Sequence, residues 1–136
     1  MKYYIIAGER SGDLHGANLV KEIRKIDKDA LIRCWGGDMM SEAGGELVVH
    51  YKETSFMGFW EVIKNYRVIK RFLKYCKEDI LQWQPDVVVF IDYPGFNLRI
   101  AEFAKINGLK TCYYISPKIW AWNQQRAYKI KKYIDK

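Results

Sequence analysis

The chain has 136 residues, of which 49% are hydrophobic, and its formal net charge is +7. This length and composition are typical of one globular domain with a sizeable core. The three cysteines are scattered and form no Cys-x-x-Cys or Cys/His cluster, which argues against zinc; no metal or cofactor is predicted. No apolar run approaches the ~20 residues that span a membrane, and a core strand directly follows Lys2 in place of a signal peptide, so we expect a cytoplasmic protein. The positive charge favours an anionic partner, unless it only keeps the protein soluble.

The first predicted element is a short buried strand at residues 3–6, which leads through a glycine-rich turn into an amphipathic helix. Glycines at positions 8, 12 and 16 allow close approach of the backbone. Either Ser11 or Asp13 can cap the helix, whose free N–H groups favour an anion or a sugar hydroxyl. Because the turn has no lysine and contains Glu9 and Asp13, we expect it to bind hydroxyls or amines rather than a diphosphate. A plain tight turn is the structural alternative.

Four further strands are predicted from apolar runs, at residues 31–35, 47–49, 87–91 and 111–115. Helices fill the gaps, including one from Asn97 to Asn107 that Gly108 ends. This alternation predicts an α/β fold, a Rossmann-like doubly wound parallel sheet with strand order 3-2-1-4-5. Ligands of such sheets bind at the carboxyl ends of the strands, where four loops are expected to meet. These loops comprise residues 8–13, 36–40, 92–97 and 116–126.

Asp92 directly follows the most apolar of the predicted strands. A carboxylate at the end of a buried strand, beside Tyr93 and Phe96, is a candidate general base, because partial burial raises the pKa of a carboxyl toward a useful range. An Asp that caps a helix in a β-α loop is the structural alternative.

Two segments carry large apolar residues beyond what the predicted core needs. The first has Phe56, Met57, Phe59, Trp60 and Ile63 ahead of a basic helix, which fits contact with a membrane surface. Ordinary core beside a solvated basic face is the alternative for that segment. The second has Trp120 and Trp122, which can stack on a sugar or a base, and Arg126, which can bind a phosphate. A hydrophobic plug between domains is the alternative there.

The last predicted element is a basic amphipathic helix from Tyr128 to Lys136, where the sequence stops. No terminal strand is expected to close the fold. The chain is therefore expected to be part of a longer protein.

Four motifs together resemble the lipid-A-disaccharide synthase family. They are Ala-Gly-Glu-x-Ser-Gly-Asp-x-x-Gly-Ala at 7–17, Met-Gly-x-x-Glu-Val at 57–62, Ile-Asp-x-Pro-x-Phe-Asn at 91–97 and Tyr-x-Ser-Pro-x-x-Trp-Ala-Trp-x-x-x-Arg at 114–126. The resemblance implies the N-terminal, acceptor-side domain of a GT-B-type inverting glycosyltransferase, covering residues 1–136. That enzyme joins UDP-2,3-diacylglucosamine to 2,3-diacylglucosamine 1-phosphate, releases UDP, and is peripheral on the inner face of the cytoplasmic membrane.

The resemblance also implies roles for individual residues. Asp92 falls on the family's candidate base, which takes the proton of the acceptor's 6-hydroxyl. The implied substrate-binding residues are Glu9, Ser11, Asp13, Asn97, Ser116, Trp120, Trp122 and Arg126. The apolar segment at 56–63 is implied to dock on the membrane and hold acyl chains. Gly95 departs from the family by replacing an acid common in some members, and residues 36–39 match the family's second glycine loop only loosely.

The partners implied are a UDP-sugar donor, a glycolipid acceptor and a C-terminal donor-binding domain that this sequence lacks. Without that domain the chain is not expected to turn over alone. Another GT-B glycosyltransferase acting on a lipid-linked sugar is one alternative. A non-catalytic domain that binds anionic lipid or nucleic acid is another, but it leaves the glycine loops and Asp92 unexplained, so no nucleic-acid partner is predicted. The absence of G-x-G-x-x-G after the first strand argues against a dinucleotide oxidoreductase.

Overall fold

A five-stranded parallel sheet forms the centre of the molecule. The computed structural model describes residues 1–54, 66–115 and 124–136. The strands are β1 (Lys2–Ala7), β2 (Leu31–Gly36), β3 (Glu46–His50), β4 (Val87–Ile91) and β5 (Lys110–Ile115). Their order is β3-β2-β1-β4-β5, and every neighbouring pair is parallel. The predicted fold class and strand order are therefore confirmed.

Six helices flank the sheet within the described residues. They are α1 (Arg10–Ile26), α2 (Asp38–Glu42), α3 (Tyr51–Thr54), α4 (Tyr66–Trp83), α5 (Pro94–Ile106) and α6 (Gln124–Tyr133). The helix predicted from Asn97 begins three residues earlier, because Pro94 occupies the first turn, where its fixed φ suits a helix and its missing N–H costs nothing. No described helix is long and apolar enough to cross a membrane.

Side chains alternate between the two faces of the sheet, and each face has its own core. Ile5 of β1 packs with Val20 of α1 on one side. Tyr4 of the same strand packs on the other side with Leu73 of α4 and Ile100 of α5. All five are at most 7% exposed. Period-two burial on both faces is what a parallel strand covered by two helix layers requires, so the sheet is doubly wound.

The end of the chain differs from its prediction. The last helix ends at Tyr133, not at Lys136. Beyond it, Tyr113 N donates to the carbonyl of Lys136 at 2.7 Å, and Asp135 N donates to the carbonyl of Thr111 at 3.1 Å. The final residues therefore bond to the backbone of β5, whose unpaired edge groups need partners. These residues form no further strand of the sheet, as expected, although they bond to its edge strand.

Several predicted site residues lie outside the described residues. They are Phe56, Met57, Phe59, Trp60, Ile63, Ser116, Trp120 and Trp122. The remaining six, namely Glu9, Ser11, Asp13, Asp92, Asn97 and Arg126, are described.

Candidate active site

Asp92 follows β4 in a strained turn at the carboxyl edge of the sheet. The pairing of β4 with β5 shifts register between Phe90 and Ile91, immediately before it. Asp92 then has φ of 44° and Tyr93 has φ of 52°, so two successive residues with side chains are left-handed. Such conformations cost about 1–3 kcal/mol each and persist where the surroundings hold them. Bulges and strain of this kind concentrate next to active sites, where they aim a side chain.

The backbone of Asp92 is held by three hydrogen bonds. Its N–H donates to the carbonyl of Ile115 at 2.9 Å. Its carbonyl accepts from the Tyr113 hydroxyl at 2.7 Å and from Asn97 Nδ2 at 2.8 Å. The half-buried carboxylate forms no hydrogen bond or ion pair with another described residue, so none of these residues competes with a ligand for it.

The first glycine loop adjoins Asp92. Glu9, Ser11 and Asp92 line one crevice of about 10 Å³, about the smallest space that holds a single water. Gly8 makes this approach possible, because a Cβ there would lie 2.2 Å from the ring of Tyr93. The structure therefore brings these two predicted substrate-binding residues next to the predicted base. Both are exposed, so a ligand can reach them.

Electrostatics also link the two loops. Burial raises the pKa of Tyr93, and the nearby negative charge of Glu9 raises it as well. Burial likewise raises the pKa of Tyr113, and the charge of Asp92 adds to that effect, while the charge of Arg126 opposes it. Both tyrosines therefore stay neutral hydrogen-bonding groups at physiological pH beside the carboxylates.

Asp13 does not line this crevice but is buried against the loop that follows β2. It is 3% exposed, and its carboxylate accepts from the N–H groups of Gly37 at 2.8 Å, Met40 at 3.0 Å and Met39 at 3.2 Å. These groups begin α2, so the charge of Asp13 caps that helix. The prediction that Ser11 or Asp13 caps the first helix was wrong: α1 begins at Arg10, its N-cap is Glu9, and no side chain caps it.

Asn97 is completely buried beneath Asp92. Besides its bond to Asp92, its Nδ2 lies 3.3 Å from the carbonyl of Ile6 and 3.4 Å from that of Ile91. The amide thus ties the ends of β1 and β4 to the turn. This geometry makes Asn97 a positioning residue for Asp92.

Arg126 lines a second, larger cleft beside the turn that holds Asp92. A cleft of about 180 Å³ between the start of α5 and α6 is lined by Gly95, Arg99, Gln125, Arg126 and Lys129, among others. Arg99 and Lys129 were not singled out from the sequence. The one sequence signal for Lys129 is its position three residues after Arg126, which places both on one helix face.

No group of three His, Cys, Asp or Glu side chains among residues 1–54, 66–115 and 124–136 is arranged to hold a metal ion. The chemistry that these described residues offer is that of a carboxylate base, hydroxyl-binding groups and cations.

The fold resembles that of a protein whose crystal structure is known. A crystal structure of a Listeria monocytogenes protein assigned as a UDP-N-acetylglucosamine 2-epimerase aligns with a TM-score of 0.63 and 13% identity, over 93% of this chain and 33% of that one. At this identity the likeness concerns the fold alone.

Sequence comparison gives a closer match. The chain is 43% identical over 131 residues to the lipid-A-disaccharide synthase of Coxiella burnetii (strain Dugway 5J108-111), and 44% identical over 131 residues to that of Trichlorobacter lovleyi. Each match covers 96% of this chain but 35% and 34% of the relatives, so the chain spans about a third of their length. The model of the family described as lipid-A-disaccharide synthetase matches residues 3–136. This chain therefore belongs to the lipid-A-disaccharide synthetase family.

Proposed function

We propose that this chain is the N-terminal, acceptor-side domain of an inverting glycosyltransferase of lipid A biosynthesis. The reaction joins UDP-2,3-diacylglucosamine to 2,3-diacylglucosamine 1-phosphate and yields lipid A disaccharide 1-phosphate and UDP. Family membership supports the reaction class. The observation that carries the proposal is Asp92, whose backbone is held by three hydrogen bonds on a strained turn while its carboxylate has no described partner.

Asp92 acts as the general base in this proposal. It takes the proton from the acceptor's 6-hydroxyl while that oxygen attacks the anomeric carbon of the donor, and UDP leaves from the opposite face. A positioned base contributes about 10²–10⁴-fold to such a step. Glu9 and Ser11, on the crevice beside Asp92, bind a hydroxyl or amide of the sugar and orient it.

The leaving group needs its own stabilisation. Charge develops on the diphosphate of UDP as the glycosidic bond forms, and donors or cations must meet that charge. The resemblance puts most donor-binding residues in a C-terminal half beyond these 136 residues. We therefore expect this chain alone to bind acceptor without forming disaccharide.

Location at the inner face of the cytoplasmic membrane is part of the same proposal. The aromatic segment at 56–63 directly precedes α4, whose first turns carry four exposed cations: Arg67, Lys70, Arg71 and Lys74. Basic side chains attract anionic lipid, and large apolar side chains next to them insert into the membrane surface. This arrangement supports peripheral binding, with the acyl chains of the acceptor held by the aromatic segment.

The test uses a hybrid protein in which this chain replaces the matching third of the Coxiella burnetii relative. Asp92→Asn in the hybrid should lower kcat by at least about 100-fold, because the base is lost, and leave UDP binding unchanged. Asp29→Asn is the matched control: it removes the same charge from an exposed position at the opposite edge of the sheet. Wild-type turnover in the Asp92→Asn hybrid would contradict the assignment.

Binding to the 136-residue chain is measured separately. In detergent, 2,3-diacylglucosamine 1-phosphate should bind saturably to the wild type and to Asp92→Asn with similar affinity, because the base serves chemistry more than affinity. UDP should not bind. Binding of UDP alone, or disaccharide formation by this chain without further residues, would contradict the acceptor-side assignment.

A further inference from the structure

The cleft between α5 and α6 concentrates positive charge. Arg99, Arg126 and Lys129 line it together with Gln125, and no carboxylate is among its lining residues. Within the described parts of the chain, none of the three cations forms an ion pair. Like charges held close together repel each other, and a bound anion removes that cost.

The start of α5 adds to the same potential. Pro94 and Gly95 line the cleft, and they are the first two residues of this 13-residue helix. Tyr93 at the N-cap supplies no side-chain hydrogen bond, and the first backbone bond runs from Asn97 N to the carbonyl of Tyr93 at 2.9 Å. The N–H groups before Asn97 thus remain without a helical partner, and the helix dipole is positive at this end.

The cleft is next to the predicted base. Pro94 lies two residues after Asp92, on the other side of the strained turn. Arg126 acts electrostatically on the Tyr113 hydroxyl, which bonds to the carbonyl of Asp92. A ligand that reaches Asp92 can therefore place a second group in the cleft.

We propose that the cleft lined by Arg99, Arg126 and Lys129 binds a phosphate monoester of the substrate whose hydroxyl reaches Asp92. Guanidinium and ammonium groups give charge-assisted hydrogen bonds to phosphate oxygens, and an amide such as that of Gln125 adds a neutral donor. A sugar 1-phosphate and the diphosphate of a nucleotide share this chemistry. The choice of the sugar phosphate rests on the proposed function, whereas the anion site does not.

The first experiment compares two double variants of the 136-residue chain. Arg99→Gln/Lys129→Gln removes two cleft cations, and Lys131→Gln/Lys132→Gln removes two exposed cations from α6 outside the cleft lining. The probes are glucosamine 1-phosphate, glucosamine and UDP, each followed by amide chemical-shift titration. The cleft variant should bind glucosamine 1-phosphate at least about tenfold more weakly than wild type, and the control less than twofold more weakly. The phosphate site would be overturned if both variants weakened binding equally. It would also be overturned if the wild type bound glucosamine as tightly as glucosamine 1-phosphate.

A second pair of variants keeps the test valid if the double variant fails to fold. Gln125 is an exposed residue of α6 that lines the cleft, and Glu has nearly the same shape. Gln125→Glu places a negative charge in the cleft and should weaken glucosamine 1-phosphate binding at least about tenfold, whereas Gln124→Glu, at an exposed neighbour outside the cleft lining, should change it less than threefold. Neither variant should lower the melting temperature, because an acid in the first helical turn is favourable. Undiminished binding in Gln125→Glu would contradict the proposal.

The same titrations separate this proposal from the proposed function. If UDP binds in the cleft more tightly than glucosamine 1-phosphate, and the cleft variant loses it, the phosphate site holds and the acceptor-side assignment is wrong. If no phosphate probe depends on the cleft, this site is refuted, while the effect of Asp92→Asn on turnover still decides the role of that residue.

Discussion

Asp13→Asn tests whether the Asp13 carboxylate of the first glycine loop stabilises the fold or binds a ligand. The carboxylate accepts three N–H groups at the start of α2, at 2.8, 3.0 and 3.2 Å, and is 3% exposed. Asn has nearly the same shape but no charge, and its amide NH₂ must face one of these N–H groups. One charge-assisted bond is lost and the other two weaken, which should lower the free energy of unfolding by about 2–3 kcal/mol.

Equilibrium unfolding in urea measures this loss. With a slope of about 2 kcal/mol per molar urea, the midpoint should fall by about 1–1.5 M. Asp38→Asn is the control, because Asp38 is the exposed first residue of the same helix and its loss should cost less than about 1 kcal/mol. An unchanged midpoint in Asp13→Asn, accompanied by weaker sugar binding, would refute the capping role and restore Asp13 as a ligand-binding residue.

Two further predictions concern pH and thiol chemistry. Burial alone would raise the pKa of Asp79, but hydrogen bonds from Arg33 and Tyr4 hold that pKa below its ordinary value. The Asp79 carboxylate therefore stabilises the fold fully above about pH 4, and this contribution is lost as the pH falls further toward the folded pKa. Asp79→Asn should remove that part of the acid dependence in urea titrations from pH 5 to 2, and an identical pH dependence in the variant would contradict it. Burial raises the pKa of Cys34 to about 12, whereas Cys112 is only half-buried. A thiol reagent at pH 8 should therefore label Cys112 first and Cys34 only after unfolding. Mass spectrometry of timed samples measures the order of labelling. Labelling of Cys34 at the rate of Cys112 would mean that β2 opens readily.

The strands and their order were predictable because their signals are local. Val87–Ile91 is a continuous apolar run, which is what a strand buried on both faces needs, and it is central in the observed sheet. Right-handed crossovers then leave few arrangements for five parallel strands. Asp92 could be placed at the carboxyl edge for the same reason, since its position depends only on where one strand ends.

The partners of the site side chains were not predictable in this way. Asp13 and Gly37 are 24 residues apart, and they meet only because β1 and β2 pair in parallel and bring the two turns side by side. Nothing near Asp13 in the sequence distinguishes a carboxylate that caps a distant helix from one that faces a ligand. The structure decides it through burial of the side chain.

The amino-acid sequence by itself determined the layered α/β fold, the strand order, the family and the position of Asp92, because hydrophobic period and strand ends are properties of short segments. Only the tertiary structure decided what surrounds that carboxylate. It bonds the Tyr113 hydroxyl to the backbone of Asp92, places Asn97 beneath the turn, and packs α6 against α5 so that Arg126 and Arg99 line one cleft. These contacts join residues far apart in the chain, and their chemistry depends on distance and burial, which no short segment encodes.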